Sequence, residues 1–377
     1  MRHRGSQKTG ETTEEKPTAQ PASAEEKTNH CRRRSSPQLL LRLLWLIVKC
    51  AIILVLAGYI AFPIVLNTIP FVPRELIFLS KVRWPYYVEF DHPEWYNISG
   101  GRNVRVKSTD NVTLGVWQIL PKSLAEDGQE KTIQYFERAL SDNKPVVLYF
   151  HGNSGNRARD HRIELYNTLA ELNYHVIAFD YREYGDSTGM ADGAGVLQDA
   201  LVMAKWLRPK IGSSKFVLYG HSLGTAVATA LARKLCEKDE CPNALILESP
   251  LSDVKEAASS HPLAKFWKFW PYFDKLFLDA FEETSVHFNS TENIDHVSSK
   301  ILIGHAKDDV IIPFSLGEKL ATHAKNNRPE GAGELMFFAF QHERGFGHKF
   351  ICRAPEWPNL IEKFVETSRE HDVKPKK

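Results

Sequence analysis

Cysteine is scarce, five in 377 residues, and no two sit at a paired zinc-type spacing. A disulfide scaffold is excluded. An excess of one charge sign is also missing: 48 basic against 46 acidic residues leave a formal +2, so electrostatics gives no case for a nucleic-acid partner. No internal repeat is evident. What is present is 43% hydrophobic, 25% charged and 11% aromatic, the balance of a globular chain rather than a disordered or collagen-like one. The length fits one large domain with extras, or two domains.

Residues 1–37 hold almost no large apolar side chains and cannot bury enough surface to offset chain entropy, so a disordered tail is expected there and again at 369–377. Residues 38–69 read as a membrane signal anchor. From Leu43 to Leu66 the only charge is Lys49, near one end, and about 20 apolar residues suffice to cross the hydrocarbon core. No polar stripe marks it as a core helix. Lys27, Arg32, Arg33, Arg34, Arg42 and Lys49 lie at or before the start of the run, against Arg74, Lys81 and Arg83 after it. This asymmetry predicts a cytoplasmic N-terminus and a luminal or exterior C-terminal part. Sequons at Asn97, Asn111 and Asn289 accord with that topology as glycosylation candidates. Cys236 and Cys241 flank a polar loop and are a candidate disulfide; Cys31 and Cys50 flank the membrane boundary and are candidate acylation sites.

Beyond a juxtamembrane segment at 70–100, strand-like and helix-like runs alternate through 101–368. Val112–Ile119 alternates apolar and polar residues, whereas Pro145–Phe150, Val176–Phe179, Lys215–Tyr219, Ala244–Leu247 and Ile301–Ile303 are nearly continuous apolar runs, the pattern of strands buried on both faces. Helical periods at His161–Leu172, Gly195–Leu207 and Thr225–Leu235 lie between them. The rhythm predicts an α/β domain with a mostly parallel sheet and helices on both faces. Residues 259–288 break it with eight aromatics among lysines, from Phe266 to Phe281, and are expected to form a small helical cap. Its aromatics serve either ordinary core packing or an acyl-chain tunnel or bilayer-docking surface.

Lys215–Tyr219 runs directly into Gly220-His221-Ser222-Leu223-Gly224, followed by a small-residue helix. G-x-S-x-G between a strand and a helix places a serine hydroxyl on a strained turn at the sheet edge, exposed for nucleophilic attack. Such a serine needs a base, and the base an orienting acid, which follow in the order Ser, acid, His. Asp309 is the preferred acid, with Asp308 as near rival and Glu248 or Asp253 behind. His348 and His342 are the candidate bases. For the oxyanion, the backbone N–H groups of Leu223 and of Asn153, in the loop His151–Gly155, are the candidate donors. Arg157, Arg159 and Arg162 follow that loop and are candidates for holding an anionic headgroup; capping and solvation of a helix terminus is the plainer reading.

Taken together, YFHGNSGN (149–156), FDYREYGDS (179–187), GHSLGT (220–225), LILESP (245–250), HAKDD (305–309) and GHKF (347–350) resemble the α/β-hydrolase domain-containing protein 12 family, membrane-anchored lysophosphatidylserine lipases that also cleave monoacylglycerols. The likeness runs from about Arg74 to Val365. It implies an α/β-hydrolase fold preceded by one transmembrane helix, and a triad of Ser222, Asp309 and His348. It also implies a single-pass type II protein of the endoplasmic reticulum with a luminal catalytic domain. Lipid substrates and the bilayer are the expected partners, with no obligate protein partner and no metal or organic cofactor. Glu183 stands where the family usually has Gly, so the turn there is in question. An H-x4-D match at His175–Asp180 lies along an expected buried strand and is discounted. The rival functions are a protein S-acyl thioesterase using the same triad and a non-catalytic lipid-binding module.

Overall fold

The structure, a computed structural model, describes residues 37–284 and 287–367. The expected tails at 1–37 and 369–377, and Cys31, lie almost wholly outside them. The chain divides into two units, 1–57 and 58–377. In the first, the described residues belong to the helix Pro37–Thr68, whose most apolar window has a mean hydropathy of 2.6 and is not buried. Length and composition suffice to cross a membrane, and the lack of burial separates this helix from a core helix.

The second unit is built on an eight-stranded sheet in the order β1-β2-β4-β3-β5-β6-β7-β8. The strands are β1 Gly101–Lys107, β2 Thr113–Ile119, β3 Val146–Phe150, β4 His175–Phe179, β5 Phe216–His221, β6 Ala244–Glu248, β7 Lys300–Ala306 and β8 Leu335–Phe340. β1 and β2 pair antiparallel, as do β2 and β4, and the remaining neighbours are parallel. The period-2 pleat explains why the central strands are apolar throughout. On β3, Val146, Leu148 and Phe150 enter one core with the helices Gly193–Leu207 and Leu223–Cys236. Val147 and Tyr149 enter a second core with the helices Asp160–Glu171 and Glu356–Glu366. The result is three layers, with the loops leaving the C-terminal ends of β3, β5, β7 and β8 converging on one edge.

β1 was not among the expected strands. Its sequence, GRNVRVK, is charged because it is an edge strand whose side chains are mostly half-buried or exposed. Within 259–284, helical turns at Pro262–Phe266 and Asp274–Leu278 lead into the helix Asp279–Thr284. The aromatics of this segment divide between two settings. Phe277 and Phe281 are buried in the core, while Phe266, Phe269 and Tyr272 are exposed. Residues 58–68, which belong to this unit, pack on the cap. Tyr59 stacks on Trp267 with ring centroids 5.2 Å apart and accepts a hydrogen bond at its hydroxyl from Trp270 Nε1 at 2.7 Å. Phe62 lies 5.0 Å from Trp267.

Candidate active site

β5 ends in an abrupt reversal. Ser222 has φ 56° and ψ −124°, a left-handed conformation that a non-glycine residue adopts only under constraint, and the helix Leu223–Cys236 starts at the next residue. Tight packing imposes the constraint. A Cβ at Gly220 would collide with the Gly224 carbonyl, and one at Gly224 with the Phe150 carbonyl, so both glycines are required by close approach of backbone. The Ser222 N–H donates to the Glu248 carbonyl at 3.0 Å, and the Thr225 hydroxyl donates to the Ser222 carbonyl at 2.6 Å.

Three side chains from distant loops meet at this turn. The Ser222 hydroxyl lies 2.9 Å from His348 Nε2, and His348 Nδ1–H donates to Asp309 Oδ2 at 2.7 Å. Ser222 is 7% exposed and the His348 side chain 8%, so the line of hydrogen bonds is shielded yet reaches the surface at one end. Asp309 is held as an acceptor on both oxygens: Ile311 N–H and Ile312 N–H each donate to Oδ1 at 2.9 Å, and His305 Nε2 approaches Oδ2 at 3.3 Å. Burial alone would raise its carboxyl, but the hydrogen bonds to His305 and His348 outweigh that and hold it well below the usual carboxylate range. Asp309 therefore stays ionised.

The rival residues are occupied elsewhere. Asp308 accepts the Gly347 N–H at 2.8 Å, steadying the loop that carries His348. Asp253 caps the helix Val254–Ser260 through the Lys255 N–H. Buried Glu248 accepts the Tyr219 hydroxyl at 2.5 Å, and His342 lies exposed on a short turn. Sequence reasoning missed two supporting histidines. His305 backs Asp309, and His221 Nε2–H donates to the His348 carbonyl at 2.8 Å. Burial, then the neighbouring His348, push the His221 imidazole down to about 3, which keeps it a neutral donor. No spacing signature marks either residue.

The loop after β3 abuts the serine: a Cβ on Gly152 would stand 3.2 Å from Ser222 Cβ. Its carbonyls are gathered to the other side. Arg162 donates to the carbonyls of Gly152, Ser154 and Asn156 at 3.3, 2.7 and 2.6 Å. The juxtamembrane segment braces the same loop, with Leu79 N–H on the Asn153 carbonyl and Gly155 N–H on the Val82 carbonyl, each at 2.9 Å. Since a trans peptide sets C=O and N–H in opposite directions, drawing the Gly152 carbonyl toward Arg162 turns the Asn153 N–H away from it. Leu223 is the first residue of its helix, so its N–H has no acceptor within the helix.

The arginine expectations need correction. Arg157 is fully buried; its guanidinium binds Asp180 and Asp186 at 2.6 Å each and Asn103 at 2.9 Å, leaving no face for a headgroup. Arg162 is equally buried on the loop carbonyls. Only Arg159 is partly open, with one nitrogen on the Ser154 hydroxyl at 2.8 Å. Glu183 keeps the positive φ, 71°, that glycine would provide, and its carboxylate accepts from Arg74 Nη1 at 3.1 Å and from the Ala191 N–H at 2.9 Å. His175 and Asp180 do not meet: His175 faces Asp142 at 3.2 Å while Asp180 binds Arg157. Cys236 and Cys241 form a disulfide. Asn97 and Asn111 are exposed, whereas Asn289 is half-buried and uses its side-chain oxygen to cap the helix Ser290–Ile294.

A profile of the α/β hydrolase fold matches residues 145–333. The lysophosphatidylserine lipase ABHD12 of Rattus norvegicus is 39% identical over 362 residues, covering 94% of this chain and 89% of that protein. The chain belongs to the α/β-hydrolase family, alongside the ABHD12 proteins. The Danio rerio lysophosphatidylserine lipase ABHD12 is 37% identical, with 93% and 89% of the two chains covered. Among solved structures, an α/β hydrolase from Vibrio vulnificus superposes with a TM-score of 0.58 at 18% identity, over 78% of this chain and 92% of that one, a likeness of fold.

Proposed function

We propose that this protein is a membrane-anchored serine hydrolase that cleaves the acyl ester of lysophospholipids, lysophosphatidylserine among them, and of monoacylglycerols. The observation that carries the reading is the unbroken line from Asp309 through His348 to Ser222, with contacts of 2.7 and 2.9 Å. In that line His348 Nε2 takes the Ser222 proton as Oγ attacks the ester carbonyl, and Asp309 orients and stabilises the imidazolium. The N–H groups of Asn153 and Leu223 receive the oxyanion. The glycerol-containing portion leaves with the proton from His348, and water then hydrolyses the acyl-enzyme by the reverse route. The chemistry calls for no metal or organic cofactor. The substrate class rests on the two lipases that are 37–39% identical to this chain.

The membrane reading has its own support. Tyr59, in the C-terminal half of the apolar helix Pro37–Thr68, is clamped between Trp267 and Trp270 of the cap. The exposed Phe266, Phe269 and Tyr272, interleaved with Lys265 and Lys268, make the mixture of aromatics and lysines that is favoured at a lipid interface. Val310 and Ile311, next to Asp309, are 78% and 46% exposed and give the site an apolar rim. The excess of basic residues before the apolar run supports a catalytic unit on the luminal side, and the family resemblance is the ground for proposing the endoplasmic reticulum as its membrane.

The test is labelling and turnover in one preparation. Wild type should react with a fluorophosphonate probe and release fatty acid from lysophosphatidylserine and monoacylglycerol. Ser222→Ala should lose labelling and at least about a thousandfold in kcat. Equal labelling of the two proteins, or a wild type inert toward both lipids, would overturn the reading.

A further inference from the structure

With Arg157 and Arg162 committed to the interior, two half-buried cations remain on the segments that carry the loop after β3 and the His348 loop, Arg159 and Lys349. Lys349 follows His348 directly, and the chain beyond it runs along the helix Asp160–Glu171. Phe350 stands 6.4 Å from the His161 ring, Cys352 Sγ lies 3.8 Å from the His161 carbonyl, and Arg353 binds Glu164 through two hydrogen bonds of 2.6 Å. Residues 350–353 thus proceed from the first turn of that helix toward its middle. The residue before them, Lys349, falls at the helix start, where Arg159 is the N-cap. Arg159 is fixed there because one guanidinium nitrogen donates to the Ser154 hydroxyl, on the loop that abuts Ser222, leaving its other donors for a ligand. Both side chains are half-buried, and neither forms an ion pair among the described residues. The nearest acid on the helix, Asp160, is exposed.

We infer that Arg159 and Lys349, brought together at the start of the helix Asp160–Glu171, form the seat for the phosphate of a lysophospholipid headgroup whose ester lies at Ser222. The inference rests on the lysophospholipid reading above and specifies how that substrate would be told from an uncharged glycerol ester. The Arg159 guanidinium and the Lys349 ammonium repel each other, only partly offset by exposed Asp160 beside Arg159, and a phosphate relieves that repulsion while accepting from both. The same environment lowers Lys349: burial first, then the charges of Arg159 and Arg162, hold its ammonium below the usual lysine range. Lysine also carries one cation where arginine would offer a bidentate fork, so the pair supplies a point charge on one side and a directed contact on the other.

The experiment compares lysophosphatidylserine, lysophosphatidylethanolamine and monoacylglycerol of one acyl chain, in mixed micelles with the full-length protein. Arg159→Gln and Lys349→Gln should each lower kcat/KM for both lysophospholipids relative to monoacylglycerol by about tenfold to a hundredfold, mainly through KM. Lys349→Arg should restore most of the ratio. A fall of the same size on all three substrates would overturn the seat, as would a ratio left at the wild-type value. A fall on lysophosphatidylserine alone would also overturn it, since it would assign the pair to the serine carboxylate. A second measurement needs no turnover: glycerophosphoserine should protect Ser222 from a fluorophosphonate probe, and each Gln variant should raise the half-protecting concentration about tenfold. Protection unchanged in both variants sinks the seat even where lipid hydrolysis fails for another reason. A wild type that labels and is protected, yet hydrolyses none of the lipids, removes the proposed function and leaves the seat standing.

Discussion

Two buried clusters built around carboxylates lie beyond the C-terminal ends of the strands, one after β4 and one after β7. They differ in where their hydrogen bonds end. In the first, Arg157 closes on Asp180, Asp186 and Asn103, and its guanidinium stacks 4.0 Å above the Phe90 ring. Nearly every donor finds an acceptor inside the cluster, apart from Arg157 Nε. In the second, Asp309 is saturated by backbone N–H groups and two histidines, but the line leads through His348 to a serine hydroxyl on a strained turn. A closed network of paired charges has only a structural use. One that ends on a nucleophile can move a proton outward to a reacting atom. The comparison teaches that burial and charge alone do not mark an active site.

The open line is most vulnerable at Asp309. Asp309→Asn keeps the shape but removes the charge that fixes the His348 tautomer, so kcat should fall about ten-thousandfold while thermal unfolding stays cooperative. A loss below tenfold, read from steady-state kinetics, would mean that Asp309 is not the orienting acid. In the closed cluster the expected damage is of another kind. Arg157→Ala leaves Asp180 buried without its partner, which costs about 3–5 kcal/mol of stability. The unfolding midpoint in denaturant should drop accordingly, while the molecules that remain folded keep reacting with a fluorophosphonate. If Arg157→Ala instead impaired probe labelling at undiminished stability, the two clusters would no longer be distinct.

Residue type and spacing made the second cluster legible and the first misleading. G-x-S-x-G between strand and helix is forced by sterics, because Gly220 and Gly224 meet backbone that no side chain could approach. The strained serine therefore leaves a mark in the sequence. That acid and base come from loops after later strands narrowed the choice to Asp309 or Asp308 and to His348 or His342, and the family resemblance then selected Asp309 and His348. The arginines leave no such mark. N-R-A-R-D-H-R tells that cations follow the loop, but only packing decides that Arg157 and Arg162 turn inward while Arg159 stays partly open. β1 escaped for the opposite reason, since an edge strand carrying Arg102, Arg105 and Lys107 lacks the apolar run that betrays its neighbours. The exposed and buried halves of the cap were equally unresolvable, because Phe269 and Phe277 are the same residue type in opposite settings.

Glu248 stands between the two cases and sharpens them with the smallest effect. It ends β6, next to the serine strand, and its carboxyl is wholly buried, bonded to the Tyr219 hydroxyl, which in turn accepts from Trp357 Nε1 at 3.0 Å. Burial is the main cause that pushes its pKa up from 4.5 to about 7, opposed by the Tyr219 hydrogen bond and assisted by repulsion from Asp309. A carboxyl whose pKa is higher folded than unfolded holds more protons in the folded state between those two values. Its contribution to stability is therefore fully present below pH 4.5 and lost as pH rises through about 7. The loss amounts to roughly 3 kcal/mol for a shift of that size. Glu248→Gln, which keeps an acceptor for Tyr219 without a titrating group, should flatten this stretch of the stability-against-pH curve and leave the Asp309 to His348 line intact. Denaturant titrations of both proteins at intervals across that window read the difference directly. Parallel curves would show that Glu248 is ionised in the folded state across that window, and would make it a further buried charge rather than a neutral prop behind the serine turn.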